Sequence, residues 1–498
     1  MIYCCAFFVI CLLPFALMLV KGPSQALQEG SRLQLAPSLE IEGKWNTQFL
    51  PEAGAWYEDH FALRNEMITA NARLYANVFG TSTSDRVVVG EKGWLYYADS
   101  LPDYLGEEQL SDREIFAVAH NLALFEQNLS LMGIRFVFAV APNKNTLYPE
   151  FMPYYYSSFV SDRTNSYDIE DPDKSDHLET SDNLDRLEAA LEKEGVTYVS
   201  LKKLLSDRIS QSEAGEGGSD PLVTGETQPE YLYHAGDSHW NNVGAAMAAA
   251  AILDRVGQPH ADWEQKPTTK TDDFTGDLSK MLYPASPDRE IEYVYPGITD
   301  ASESAYCYVN EVTDNYDPMI QTVSTTGTGS VVMFRDSFGN ALLPFVAASY
   351  AEAFFTRGVP WNSSAIFSQG ADTVISVKAQ RFIPEMLQEA PVIESLPVFD
   401  PDLLESLSAM QPTQVPCSLT EEGYLIKISG EVPTDLLQTK TRIVVKGSDD
   451  LFYESFLTGA EADADHAGNG FVLYMQPEKV SQETAGNADP EFSVYFVG

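Results

Sequence analysis

Three residues stand out for what they could do together. Ser337 lies in Phe334-Arg335-Asp336-Ser337-Phe338-Gly339-Asn340, after the apolar run Ser330-Val331-Val332-Met333-Phe334 and before the helical pattern Ala341-Leu342-Leu343-Pro344-Phe345-Val346. A serine at a strand-to-helix junction presents its hydroxyl at the open end of a sheet, and the first free N–H groups of the helix favour negative charge beside it. Alone it is a poor nucleophile and needs a base within hydrogen-bond reach. Gly236-Asp237-Ser238-His239-Trp240-Asn241 offers one in His239, with a carboxylate two residues earlier. Such a carboxylate fixes the imidazole tautomer and stabilises the imidazolium. Asp237, His239 and Ser337 are therefore a candidate triad, in the chain order Asp, His, Ser. The structural alternative is a buried histidine satisfied by a local carboxylate, because such pairs also occur in networks without chemistry.

The elements that must position these residues follow an α/β pattern. Ser111-Asp112-Arg113-Glu114 is a capping box, predicting a helix from there to about Met132 with a stop at Gly133. Arg135-Phe136-Val137-Phe138-Ala139-Val140-Ala141 reads as a strand buried on both faces, since it is nearly continuous in apolar residues. It ends at Pro142-Asn143-Lys144, and ligands of open α/β sheets gather at the carboxyl ends of strands. Lys144 is thus a candidate at the rim of the site, the alternative being a surface lysine or a structural ion pair. Asp372-Thr373-Val374-Ile375-Ser376-Val377 predicts a further strand, which puts Arg381 at another carboxyl end. Asn340 and Arg381 are candidate extra donors to an oxyanion held by the N–H groups of the helix after Ser337. The strands at 135–141, 330–334 and 372–377 are expected to be neighbours or near neighbours in a mostly parallel sheet.

The His239 motif opens an Ala-rich helix, Val243 to Val256, in which Trp240 is expected to pack and Asn241 to cap. Residues 261–328 form an insertion between the two motifs, with short strand-like stretches such as Glu290-Ile291-Glu292-Tyr293-Val294-Tyr295. Asp168 to Asp185 is strongly acidic, but Pro172 and the lack of a glycine spoil a calcium loop, so it reads as a solvated loop. Residues 396–416 lie in a Pro-rich stretch and read as a linker. The short strands beyond it, from Tyr424-Leu425-Ile426-Lys427-Ile428 to Phe492-Ser493-Val494-Tyr495-Phe496, predict an all-β sandwich-like domain over 417–498.

The separated stretches match one family. Asp-x-His-Trp-Asn at 237–241, followed by Asp-Ser-Phe at 336–338 after a strand, resembles the DHHW family and the SGNH-hydrolase-like domain of the alginate acetylation proteins AlgJ and AlgX. Asp59-His60-Phe61-Ala62-Leu63-Arg64, the stretch Val87 to Tyr97, Pro142-Asn143-Lys144 followed by Tyr148-Pro149, and Phe274-Thr275-Gly276-Asp277-Leu278 resemble further signatures of that group. The glycine usual before Asp-Ser in SGNH enzymes is Arg335 here. The resemblance covers roughly residues 55–390. It implies an α/β fold with an SGNH-hydrolase-like sheet flanked by helices, over 55–395. It also implies that Asp237, His239 and Ser337 form a triad for O-acetyl transfer, with no cofactor. The implied partners are a polysaccharide acceptor and a membrane-bound O-acyltransferase that hands over the acetyl group.

Composition bounds the partners. The 498 residues carry a formal net charge of −42, which excludes binding to nucleic acid or an anionic lipid surface through a general field. A neutral polymer is easier to accommodate than a polyanionic one. Met1 to Val20 is an apolar run ending at Lys21, long enough to span a bilayer. It reads as a signal peptide or an uncleaved signal anchor, with Ser24-Gln25-Ala26 as a poor cleavage site and residues 26–54 as a stalk, so the body is expected outside the cytoplasm. Of the five cysteines only Cys307 and Cys417 lie in the body, and no metal-ligand spacing is present. Two classes of function remain open. One is an O-acetyltransferase working through an acetyl-serine, with an acetylesterase as its variant. The other is a non-catalytic surface module that binds a glycan or a partner.

Overall fold

The computed structural model describes residues 2–22, 34–156, 182–213, 231–263, 269–300, 304–459, 468–480 and 490–498. A seven-stranded sheet forms its centre, in the order Tyr198–Val199, Arg135–Ala141, Thr373–Ala379, Ser330–Arg335, Glu352–Thr356, Met319–Val323, Cys307–Tyr308. The first five strands pair in parallel, and the last two run antiparallel along one edge. The three predicted strands are direct neighbours, with Thr373–Ala379 in the middle and their carboxyl ends together.

Side chains alternate across a strand, and both faces of this sheet are covered. Phe136, Phe138, Val140, Val332, Phe334 and Val374 face one apolar core with the helices Asp112–Leu131 and Asn183–Glu194. Val137, Ala139, Ala141, Val331, Met333, Ile375 and Val377 face the other, with the helices Asn242–Arg255 and Gly339–Ser349. The small residues of Asn242–Arg255 let it lie close on the sheet. The capping box at Ser111 and Glu114 is formed, and Asn241 caps its helix by accepting from the N–H groups of Val243 and Gly244.

The C-terminal strands form a second, antiparallel seven-stranded sheet. The stretch expected to link it to the α/β body is part of the structure instead. Ser395 N–H donates to Tyr474 O at 2.8 Å and Val398 N–H to Phe452 O at 2.8 Å. Pro401–Ala409 is a helix, and the first strand already starts at Thr413. Proline density reads as a linker only when nothing packs on it, and here the neighbouring backbone supplies ladder partners. Within residues 26–54, expected as stalk, lie a small hairpin at 40–45 and the start of the helix Phe49–His60, none of whose residues is buried. Cys307 is exposed and Cys417 buried, and both are free thiols. The candidate cleavage site at 24–26 and most of the acidic stretch 168–185 lie outside the described residues. Among the described residues no helix is long and apolar enough to cross a membrane. The helix Ile2–Lys21 covers the N-terminal apolar run, but half of its side chains lie outside the described set.

The two sheets share one apolar core, joined through Asp112–Leu131. Buried polar groups stitch the joint. Asn121 Nδ2 donates to Leu457 O and its Oδ1 accepts from Leu457 N–H, both at 2.7 Å. His120 lies between Glu194 at 3.1 Å and Glu454 at 3.0 Å, one carboxylate on each ring nitrogen. Burial alone would lower the His120 pKa, but the two carboxylates outweigh it and hold it above the ordinary value of 6.5. Burial would raise Glu454, but His120 holds it below its ordinary 4.5. The raised histidine contributes stability that is complete below its unfolded pKa and fades as pH rises through the folded one. The depressed glutamate contributes above its unfolded pKa, and that is lost on acidification. The junction is therefore strongest between about pH 4.5 and 6.5. Because removing one partner of a buried ion pair costs on the order of 3–5 kcal/mol, His120→Ala should lower unfolding stability by about 3 kcal/mol at pH 6. Denaturant titrations should show that loss shrinking as the pH is raised towards about 8, and a pH-independent loss would contradict the ion-pair account.

Candidate active site

Ser337 follows the strand Ser330–Arg335 on a turn that is tied down on both sides. Asp336 Oδ1 accepts from Phe338 N–H at 2.9 Å, and Oδ2 accepts from Ala379 N–H at 2.5 Å, at the end of the neighbouring strand. The next helix starts hard against the strand. A Cβ at Gly339 would lie 2.5 Å from Arg335 Cβ, closer than such atoms come, so the position takes glycine. Phe338 is fully buried under His239, with ring centroids 4.8 Å apart, and Trp240 Nε1 donates to Phe338 O at 3.2 Å. Trp240 thus packs the two motifs together.

The loop bearing Asp237 and His239 is held from three directions. Lys144 Nζ donates to Leu95 O at 2.7 Å, Ala235 O at 2.6 Å and Asp237 O at 2.9 Å. Glu290, on one strand of the hairpin Thr269–Phe274 and Glu290–Val294, accepts from Ala235 N–H at 2.6 Å and Gly236 N–H at 2.7 Å. Asp277 N–H donates to Asp237 Oδ2 at 2.8 Å. Its carboxylate accepts from Ser238 N–H at 2.8 Å and Ser238 Oγ at 2.6 Å. Gly276 makes this possible, since a Cβ there would fall 2.1 Å from Gly236 O.

The result is a continuous hydrogen-bond chain. His239 Nε2 is 2.8 Å from Ser337 Oγ, and His239 Nδ1 is 2.7 Å from Asp237 Oδ1. Nδ1–H donates to the carboxylate, which leaves Nε2 as the acceptor for the serine hydroxyl. Burial would lower the His239 pKa, but the bond and charge of Asp237 hold it above 6.5. Burial would raise Asp237, but His239 and the Asp277 N–H hold it well below the usual carboxylate range. Asp277 is pushed up, first by burial and then by the charge of Asp237. Ser337 is partly exposed.

The other sequence candidates divide. Lys144 is not at the rim. It is 4% exposed, lies behind the loop with its protons on three carbonyl oxygens, and sits over the rings of Trp94 and Tyr96. Burial pulls its pKa down to about 7. Its part is to hold the Asp237 backbone, and burial of that kind cannot be read from a strand-end lysine. Arg381 does reach the site: its guanidinium carbon lies 5.7 Å from the centre of the Phe338 ring and 5.3 Å from that of Tyr97, and Nε has no partner. Asn340 sits on the first turn after Ser337, with Oδ1 taken by Arg335 and Arg357 and Nδ2 buried without a partner. The Phe338 N–H, expected to face an oxyanion, is occupied by Asp336. Sequence reasoning gave no role to Asp277, although its Thr-Gly-Asp signature was visible. Asp237, His239 and Asp277 offer ligand atoms within 4.8 Å of one another. Those same atoms make the bonds just described, so a cation there would compete with the histidine's orienting bond.

Residues 87–295 match the family model described as the SGNH hydrolase-like domain, acetyltransferase AlgX. The chain therefore carries an SGNH-hydrolase-like domain similar to that of AlgX. The matched stretch takes in the His239 loop and the turn at Gly276, and ends before Ser337. Three solved structures are distantly similar. A DHHW family protein from Eubacterium siraeum is 15% identical over 56% of this chain and 90% of its own, with a TM-score of 0.37. Bacillus cereus PatB1 is 14% identical over 60% and 96%, with a TM-score of 0.39. The O-acetyltransferase domain of Pseudomonas putida AlgJ is 17% identical over 65% and 99%, with a TM-score of 0.34. No curated protein matches the sequence. Likenesses this distant carry no function across.

Proposed function

We propose that this protein is an O-acetyltransferase that works through Ser337 on a hydroxyl of an extracellular or cell-wall polysaccharide. The observation that carries the reading is the hydrogen-bond chain Ser337–His239–Asp237, at 2.8 Å and 2.7 Å. The AlgX-type domain supports an acetyltransferase-related role. Ser337 Oγ attacks the acetyl carbonyl of the donor while His239 Nε2 takes its proton. The tetrahedral intermediate collapses, the C–O bond to the donor breaks, and the leaving oxygen takes that proton from His239. A sugar hydroxyl then attacks the acetyl-serine by the same steps, giving its proton to His239 and freeing Ser337. Asp237 stays ionised throughout and steadies the imidazolium. With Phe338 N–H engaged, Ser337 and Gly339 supply the backbone N–H groups of that turn to the oxyanion, and Arg381 adds a charged donor.

A membrane-bound O-acyltransferase partner hands over the acetyl group, and residues 1–20 lead the chain out of the cytoplasm or tether it to the membrane. Hydrolysis of the acetyl-serine would make the same site an acetylesterase. The test is to incubate the protein with an activated acetyl ester and locate the acetyl group by mass spectrometry, with and without polysaccharide oligomers. Acetyl on Ser337 that moves to the oligomer is the expected result. Acetyl on Ser337 that goes only to water selects the esterase. A Ser337 that never acetylates, and is not labelled by a sulfonyl fluoride, removes the chemistry and leaves a binding module.

A further inference from the structure

Two arginines lie beside the Ser337 turn, and among the described residues no carboxylate bonds directly to either. Arg335 closes the nucleophile strand and Arg357 directly follows the adjacent parallel strand Glu352–Thr356, so both stand at carboxyl ends, on the side of the sheet that carries Ser337. Arg335 is 5% exposed. Its Nη2 donates to the backbone carbonyl of Asp317 at 3.0 Å and its Nη1 to Asn340 Oδ1. Arg357 Nη2 donates to the same Asn340 Oδ1 at 2.8 Å. Two guanidinium groups therefore converge on one neutral amide oxygen. The Nε atoms of both arginines and Nδ2 of Asn340 are buried without a partner.

The nearby carboxylates are turned away. Asp336 spends both oxygens on the N–H groups of Phe338 and Ala379, and Asp317 accepts from Thr313 N–H at 2.6 Å. Among the described residues neither arginine forms an ion pair with a carboxylate. In a chain of net charge −42 such an arrangement is unexpected, because a buried charge is normally paired. Burial, and then the charge of Arg357, pulls the Arg335 pKa down to about 10. An anion between the two groups would relieve both effects. Arg357 is half-buried and stacks on Tyr316, 43% exposed, so the group opens to solvent on that side. Asn340 N–H donates to Ser337 O at 3.1 Å, which fixes Asn340 one turn from the nucleophile. At that spacing Cβ atoms are about 5–6 Å apart.

We propose that Arg335, Arg357 and Asn340 form an anion-binding site next to the nucleophile, which takes a carboxylate or phosphate group of a substrate. Two coplanar or tetrahedrally placed oxygens match the donor fork of arginine. The site rests on the acyl-transfer reading of Ser337 for its use, and it names what that reading leaves open. The anion belongs either to a phosphate on the acetyl donor or to a carboxylate on the acceptor sugar.

Inorganic phosphate and glucuronate separate the two sources. Each would be tested as an inhibitor of acetyl release from neutral 4-nitrophenyl acetate, and titrated calorimetrically into the Ser337→Ala protein, where no turnover is needed. We expect one of the two to bind and compete. Its affinity should fall about 10-fold or more in Arg357→Gln, since a charge-assisted hydrogen bond is worth about that factor or more. Arg357→Lys, which keeps the charge without the fork, should recover part of it. Competition by phosphate alone assigns the site to the donor, and by glucuronate alone to the acceptor. No binding of either anion, or equal binding in wild type and Arg357→Gln, overturns the site while leaving Ser337 chemistry intact. Full turnover by Ser337→Ala would instead overturn the acyl-transfer reading and leave the calorimetric result standing.

Discussion

Ser337→Ala and His239→Ala are each expected to lower acetyl release from an activated ester by on the order of 10⁶-fold in kcat, because nucleophile and base act as a unit. What remains should be the small rate that binding and oxyanion donors support alone. Asp237→Asn keeps a polar group in place but cannot stabilise the imidazolium, and a loss of roughly 10⁴-fold is expected. The pH profile carries a sign that follows from the electrostatics. His239 must be neutral to accept the serine proton, and Asp237 holds its pKa above 6.5, so the wild-type rate should fall as pH drops through that raised value. In Asp237→Asn the raising charge is gone while burial still disfavours the imidazolium, so the residual limb should move to lower pH. A residual limb at the wild-type pH would assign the titration to another group. Wild-type turnover by Ser337→Ala would end the covalent mechanism outright. Circular dichroism of each variant separates loss of chemistry from loss of fold.

Gly276→Ala, a single added methyl group remote in sequence from all three triad residues, should also damage the enzyme. The new Cβ would sit 2.1 Å from Gly236 O and 2.6 Å from Asp237 N, and both are backbone atoms that cannot rotate away. Either the turn at 276 or the loop at 236–239 must move. Overpacking of this kind costs about 1–3 kcal/mol in stability. The larger cost is geometric. Asp277 N–H would leave Asp237 Oδ2, and the histidine would lose the frame that aims Nε2 at the serine. A misplacement of about 1 Å can cost on the order of 100-fold in rate. We therefore expect a folded protein with kcat down by at least that factor, measured on the same ester. An unchanged kcat would show that the close approach at Gly276 is not what sets His239.

The frame of the fold was legible because each signal was local. A seven-residue apolar strand ending in Pro-Asn-Lys, a capping box at Ser111 and an Ala-rich helix after Asn241 each report their own burial. The pairing of Asp237 with His239 was legible for the same reason, being two residues apart. Their meeting with Ser337 was offered by residue type alone and strengthened by a family resemblance, since nothing in the spacing forces residues about a hundred positions apart together. The positions that were misread depend on contacts from far along the chain. Lys144 stands at a strand end, where lysines reach solvent, yet Leu95 and the 235–237 backbone close over it. Asp277 gains its role from a backbone forty residues earlier. Asp336 takes the Phe338 N–H from an oxyanion through a rotamer that no sequence pattern encodes. The stretch around 396–416 was misjudged because proline content speaks for local stiffness and not for what lies alongside.

The core that runs unbroken from the α/β sheet through Asp112–Leu131 into the C-terminal sheet makes the two parts a single rigid frame. With Asn121 and His120 bonded across the joint, swinging the C-terminal sheet on a hinge would break these contacts and open the shared core. Anything that docks on it meets Ser337 at one fixed distance and one heading. A chain that docked on the C-terminal sheet would be measured against Ser337 as by a ruler and not held on a leash.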